Sequence, residues 1–424
     1  MSMAQIDLPY GDGILSFEID KGMLGEVVEP GLVETASDAE AEIRYALERP
    51  IGSPPLTELV RPGQKVALII DDITRQTPTH LILPPILYCL KRAGIEKEAI
   101  KIVFALGTHR PMTESEIHEK VGSAIANEYH IVNVPCWDNA EMVYMGRSSN
   151  GIPAWINRTV IEADFRIGIG MITPHMDAGF SGGGKIILPG VCSCRTVEAF
   201  HLRQAKILEN QLGAIDAQLR RDLEAFVEER IGIDFILNVI LDRKGLLYRS
   251  VSGHFVQAHR VGVDIAKTVY GSPVSRRYPV VISNAYPTQI DLWQSTKALA
   301  SGEIMTDDGG TLILVTHCQE GNNTHPLFAD YMGRDPEQLI HELESGRAED
   351  IVACALAVPL SRMRRRIKFA LVSSGLSKAE AERMGFIYYD SVENAIKEKL
   401  KTRGSHSAVA VLTHGGVTLP MTLV

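Results

Sequence analysis

No run of about 18 consecutive apolar residues occurs in this chain, and its first ten residues are polar and mixed, with no apolar stretch behind a basic one. Neither membrane insertion nor secretion is expected. Cysteine is also scarce: Cys89, Cys136, Cys192, Cys194, Cys318 and Cys354 make six in 424 residues, without a CxxC pair. That spacing argues against a disulfide framework or a structural zinc site and suits a reducing cytoplasm. Excess positive charge is missing as well. The formal net charge is −9, and the one dense basic run, Arg362, Arg364, Arg365, Arg366 and Lys368, is short. It reads as a solvated helix face, and no nucleic-acid partner is expected. No internal repeat recurs at a fixed period.

What is present is a globular composition, 45% apolar and 22% charged, long enough for two domains of ordinary size. Short apolar runs at 65–70, 101–106, 165–170 and 235–241 alternate with helical patterns. A second set follows at 279–283, 311–316, 368–372 and 408–413, with helical patterns at 377–384 and 392–401. The alternation predicts an α/β protein: two α/β domains with largely parallel sheets and an active site in the interdomain crevice. The turn-rich Tyr270-Gly271-Ser272-Pro273 places the boundary between residues 1–271 and 272–424, with the last residues free to pack back on the first domain.

Ligands of open parallel sheets bind beyond the carboxyl ends of the strands, so the residues after each predicted strand carry the functional information. After the first run come Asp71, Asp72, Ile73, Thr74 and Arg75, with a helix beginning near Thr79. An arginine beside a helix start suits a carboxylate or phosphate, although an Asp/Thr-rich cap with an incidental arginine has the same appearance. After the second run come Gly107, Thr108, His109, Arg110 and Pro111, and Thr113 with Glu116 forms a capping-box signature. After the third run, His175 again lies a few residues past a strand. Two histidines at matching positions suggest proton transfer near neutral pH.

From Gly179 to Lys185 the chain matches the opening of a phosphate-binding P-loop, but Ile186 stands where Ser or Thr belongs and Pro189 would break the helix. What remains is Lys185 on a glycine loop, either an exposed lysine or an amine able to bond covalently to a cofactor or substrate. His201, at the end of a helical pattern starting near Thr196, is a surface residue or a nitrogen ligand for nickel, copper or zinc.

His175-x-x-Ala178-Gly179-Phe180-Ser181-Gly182-Gly183-x-Lys185-x-x-Leu188-Pro189-Gly190 with His201 resembles the signature of the lactate racemase family. So do Asp72-x-Thr74-Arg75 with Pro78, Gly107-x-His109-Arg110-Pro111, and Tyr286-Pro287 with Gln294-x-x-Lys297. The resemblance implies a racemase or epimerase of a small 2-hydroxyacid that uses a nickel-pincer nucleotide made by separate cofactor-biosynthesis proteins. It implies covalent attachment at Lys185, nickel ligation by His201, and cofactor or substrate contacts from Asp72, Ile73, Thr74 and Arg75. Substrate contacts from Gln294 and Lys297, and an acid/base pair of His109 and His175, follow from the same resemblance. Hydride transfer would avoid a carbanion beside an ionised carboxylate, and a base on each side would serve the two enantiomers. The family's pocket tryptophan is not found in residues 351–359, and Trp293 stands beside Gln294, so lactate itself is not implied. Two other readings remain open: a zinc-type hydrolase using His109, His175 and His201 as ligands, and a non-catalytic binding protein.

Overall fold

The computed structural model describes residues 2–400 and 408–422. It contains two six-stranded sheets. In the first, the strands run Leu247–Gly253, Phe235–Leu241, Phe165–Met171, Val66–Asp71, Ile100–Ala105 and His130–Val132, and only the Leu247–Gly253 pairing is antiparallel. The apolar runs are continuous because both faces are covered. Alternate side chains of one strand enter different cores: Val66, Leu68 and Ile70 pack with Ile82 and Ile86, whereas Ala67 and Ile69 pack with Phe226 and Val227.

The second sheet is parallel throughout, in the order Ile387–Tyr388, Lys368–Ser373, Thr306–Thr316, Tyr278–Asn284, Val409–Leu412 and Leu24–Val28. The last of these strands comes from the expected 1–271 unit, which thus contributes a strand to the second sheet. Leu24–Val28 pairs with Val409–Leu412, and the preceding hairpin, Met3–Tyr10 with Gly13–Asp20, buries Ile6, Leu8, Phe17 and Ile19 against the same sheet. At about 1.5–3 kcal/mol for each fully buried side chain, those four fix the hairpin there. Near the junction, Gly271–Val274 pairs with Leu419–Thr422, and Val417 and Leu419 join a core with Ile172, Phe180 and Val263 of the first half.

The helix expected at 377–384 forms as Lys378–Arg383 with a Ser377/Glu380 capping box, and the next one as Val392–Leu400; Lys401, its expected end, lies outside the described residues. One disulfide is present, Cys136 with Cys194, where the spacing argued against a disulfide framework. A sequence separation of 58 hides the pair from any local spacing rule: Cys136 lies in a loop and Cys194 opens the Cys194–Gln204 helix. Among the described residues no helix is long and apolar enough to cross a membrane.

Candidate active site

The carboxyl ends of strands from both sheets face one cleft with an empty volume of about 1050 Å³, including its open mouth. Asp72, Arg75, His109, His175, Lys185, His201, Gln294 and Lys297 all line it. Ile73 and Thr74 do not. They line a smaller neighbouring hollow shared with Asp72 and His109, and Ile73 also packs against the first core. Thr74 acts on the site through Asp72, whose Oδ1 accepts from the Thr74 amide at 3.0 Å and hydroxyl at 2.5 Å.

The other Asp72 oxygen lies 2.5 Å from His109 Nδ1. Burial alone would raise the Asp72 carboxyl, but the His109 ring, Arg75 and the Thr74 hydroxyl hold it well below the usual carboxylate range. An ionised carboxylate only accepts, so His109 Nδ1 carries a proton. On the far side of the ring, His109 Nε2 meets Gln294 Nε2 at 2.9 Å. The Gln294 amide cannot be reversed, because its Oε1 already accepts from Arg75 at 2.9 Å and from Lys297 Nζ at 2.6 Å. His109 Nε2 therefore accepts from Gln294, and the neutral ring keeps its proton on Nδ1. Asp291 seats Gln294 by capping its short helix, accepting from the Gln294 amide at 2.7 Å.

Arg75 and Lys297 converge on one neutral oxygen, an arrangement that suits a carboxylate. Burial, with Arg75 and Lys185 nearby, pushes the Lys297 ammonium well below its ordinary value. A carboxylate would neutralise the cluster and give Arg75 and Lys297 charge-assisted partners. Beneath them, Lys120 donates to the Arg75 carbonyl at 2.7 Å and pairs with Asp71 at 2.8 Å, fixing the loop that carries Arg75.

The glycine-rich segment is not a P-loop. His175 sits in a two-residue strand, Pro174–His175, paired with Gly179–Phe180, and Lys185 lies in a single 3₁₀ turn, Gly183–Ile186. Gly179 has φ +71°, and a Cβ there would fall 1.8 Å from the Ala214 carbonyl oxygen. The loop is held from below by groups that its own sequence does not announce. Buried Arg220 donates to the carbonyls of Ala178, Phe180 and Gly182, His259 bonds the Ser181 carbonyl at 2.8 Å, and Asn238 accepts from the Gly183 amide at 2.8 Å.

Burial lowers the Lys185 amine, as do the charges of Arg75 and Arg220, with Asp177 opposing. Such an amine is more readily unprotonated and hence nucleophilic. His175 is depressed by burial and by Lys185, Lys297, Arg75 and Arg220; its Nδ1 accepts from the Asp177 amide at 3.2 Å, which leaves the ring proton on Nε2. His201 lies inside its helix and is buried. Its Nδ1 lies 2.7 Å from Gln204 Oε1, while Gln204 Nε2 donates to Asp177. That relay puts the His201 proton on Nδ1 and leaves Nε2 with a free lone pair, the arrangement expected of a metal-ligating histidine. Burial, partly offset by the Gln204 bond, holds its pKa at about 4, so the ring is neutral. Among the described residues no group of three His, Cys, Asp or Glu side chains is placed to hold a metal ion. The three-histidine zinc arrangement is thus not formed, whereas one free nitrogen suits a metal whose other ligands belong to a bound cofactor.

These features define a two-domain α/β fold whose cleft gathers His109, His175, Arg75 and Lys297. Models of the lactate racemase N-terminal and C-terminal domains match residues 10–212 and 276–419. The chain belongs to the lactate racemase family, a family of isomerases. It is 32% identical to the lactate racemase of Lactiplantibacillus plantarum over 80% of this chain and 81% of that one. It is 28% identical to the lactate racemase of Thermoanaerobacterium thermosaccharolyticum over 82% and 83%. The lactate racemase apoprotein structure from the latter organism superposes with a TM-score of 0.87 at 26% identity, covering 99% of this chain and all of that one. A Thermotoga maritima protein shares the fold, with a TM-score of 0.72 at 19% identity over 92% of this chain.

Proposed function

We propose that the chain inverts the C2 centre of a 2-hydroxyacid, with His109 and His175 as acid/base pair and a nickel-pincer nucleotide joined to Lys185 and ligated by His201. The observation that carries this reading is the state of His109, a neutral base held by Asp72 and Gln294 beside the Arg75/Lys297 anion site. When bound, the cofactor supplies an acceptor for the C2 hydrogen as hydride, so that no carbanion forms beside an ionised carboxylate.

Arg75 and Lys297 transfer their bonds from Gln294 Oε1 to the substrate carboxylate and orient the hydroxyl. His109 Nε2 takes the hydroxyl proton, and Asp72 stabilises the resulting imidazolium. His175, protonated, returns a proton to the same oxygen after the carbonyl plane has turned. The two histidines then hold exchanged protonation states, ready for the reverse direction. Burial, the largest influence against protonated His175, persists on loading, but the Lys185 charge is relieved by covalent attachment and the Arg75/Lys297 charges by the substrate carboxylate. The histidines follow the strands Ile100–Ala105 and Phe165–Met171, which flank the central Val66–Asp71 strand leading to Asp72 and Arg75. Such flanking suits a substrate whose enantiomers direct their hydroxyls to different sides. Leu356 lines the cleft within the segment where the family tryptophan was sought, beside Val197, Met176 and Trp293, so the proposal is a 2-hydroxyacid and not lactate in particular.

The test is the full chain produced in a cytoplasm together with the cofactor-building proteins. Mass mapping of the peptide holding Lys185 should find the adduct, metal analysis should find nickel, and chiral chromatography should find interconversion of one or more 2-hydroxyacids. His109→Ala and His175→Ala should each keep the adduct and lose interconversion. Zinc without nickel, an unmodified Lys185 in active protein, or full activity in both variants would overturn the assignment. No interconversion across a broad panel would favour a binding role.

A further inference from the structure

Three consecutive residues after the Ile100–Ala105 strand are each held by the second half of the chain. Thr108 Oγ1 lies 3.0 Å from His325 Nε2, His109 Nε2 lies 2.9 Å from Gln294, and Arg110 pairs with Glu320 at 2.7 Å. The Arg110 pair is partly exposed and of the kind that contributes little. The His325 contact is different. Its ring is buried, Nδ1 lies 2.7 Å from Asp350 Oδ2, and its face is tilted against Trp293 with centroids 4.2 Å apart. Because the Asp350 carboxylate only accepts, a His325 proton sits on Nδ1, and in the neutral ring Nε2 accepts from the Thr108 hydroxyl. Asp350 is itself fixed, since its Oδ1 caps the Ile351–Arg366 helix through the Ala353 amide at 2.9 Å.

We propose that His325 is a positioning residue for the acid/base loop. Through Thr108 it transmits the rigid placement of Asp350 and Trp293 across the crevice and fixes the height at which His109 enters the cleft. His109 has side-chain partners on both ring nitrogens, but its backbone is tethered from the opposite domain chiefly through its neighbour. Without His325, the Thr108 hydroxyl loses its partner, Trp293 loses a stacked face, and the loop can shift by a fraction of an ångström while its strand stays in place. Displacements of that size cost catalysis heavily, up to about a hundredfold for 1 Å. The proposal rests on the reading of His109 as an acid/base group.

Its test compares the cofactor-loaded full chain with His325→Ala, Thr108→Val, the double variant and His325→Gln. Glutamine keeps an acceptor for Thr108 and a donor for Asp350. Each single truncation should lower kcat by about tenfold or more with KM within about twofold, and amide exchange over residues 106–112 should quicken. The double variant should be no worse than the poorer single one, and His325→Gln should recover most of the loss. Unchanged kcat and exchange in His325→Ala, or losses that multiply in the double variant, would overturn the proposal. If His325→Ala does not fold, Thr108→Val and His325→Gln decide it on the same readouts. Exchange over 106–112 does not require turnover, so a wild-type chain that interconverts nothing would sink the racemase reading while exchange still judges the tether.

Discussion

Asp72→Asn changes the character of His109 without changing the shape of the site. Asp72 Oδ1 accepts two bonds from Thr74, so an asparagine must keep its oxygen there and turn its NH₂ toward His109 Nδ1. That nitrogen would then have to accept, which moves the ring proton to Nε2 and aims it at the Gln294 NH₂ 2.9 Å away. Gln294 cannot turn in response while Arg75 and Lys297 hold its oxygen. The variant thus loses the base and gains a donor facing a donor. General-base contributions of about 10²–10⁴ in rate set the expected fall in kcat, equivalent to about 2.7–5.5 kcal/mol of barrier. Asp72→Ala removes the partner without imposing the wrong tautomer and should lose less. Steady-state interconversion of a 2-hydroxyacid measures the rates, and ¹⁵N chemical shifts of His109 report the tautomer. Turnover in Asp72→Asn within about threefold of wild type, or unchanged His109 shifts, would refute the tautomer argument.

Two further expectations concern the unloaded chain. His201 is held at about 4 against an ordinary 6.5, so between these values the unfolded chain binds the extra proton. The stabilisation from keeping it neutral is full above about pH 6.5 and is lost as pH falls toward 4, at most about 3 kcal/mol. Melting temperature should fall between about pH 7 and 5, and His201→Gln should flatten part of that slope; parallel curves for the two proteins would count against it. Gly179→Ala places a Cβ against the Ala214 carbonyl in a left-handed backbone and should lower stability by more than about 2 kcal/mol in denaturant unfolding; an unchanged midpoint would refute the tight approach.

Much of the fold was legible because parallel strands buried on both faces write themselves as continuous apolar runs. The eight expected runs recur as strands whose ends match or differ by a single residue, except that Thr306–Thr316 starts five residues early. The Leu24–Val28 strand was not legible, since its five residues, Leu-Gly-Glu-Val-Val, alternate weakly and gain their place only by pairing with residues far away in sequence. The cleft residues were found through their position after strands and through the family pattern. Gln204 and Asp177 could have been suspected from their spacing to His201 and His175, but their relay depends on how a helix packs on a hairpin. Arg220, Asn238, His259 and His325 carry no local signature at all. Each acts on a backbone or side chain dozens of residues away or more, and such contacts exist only in three dimensions.

The pairing of Leu24–Val28 with Val409–Leu412 also bears on biosynthesis. The first half can complete its sheet while the chain is still emerging from the ribosome, because all six of its strands lie between residues 66 and 253. The hairpin has no sheet to pack on until the strands from Tyr278 onward are made, and the Leu24–Val28 strand has no partner until Val409–Leu412 is made. During that interval Ile6, Leu8, Phe17 and Ile19 lack the core that buries them, a period of tens of seconds at about 5–20 residues per second. The order of translation therefore makes the Leu24–Val28 strand wait for a partner that is synthesised long after it.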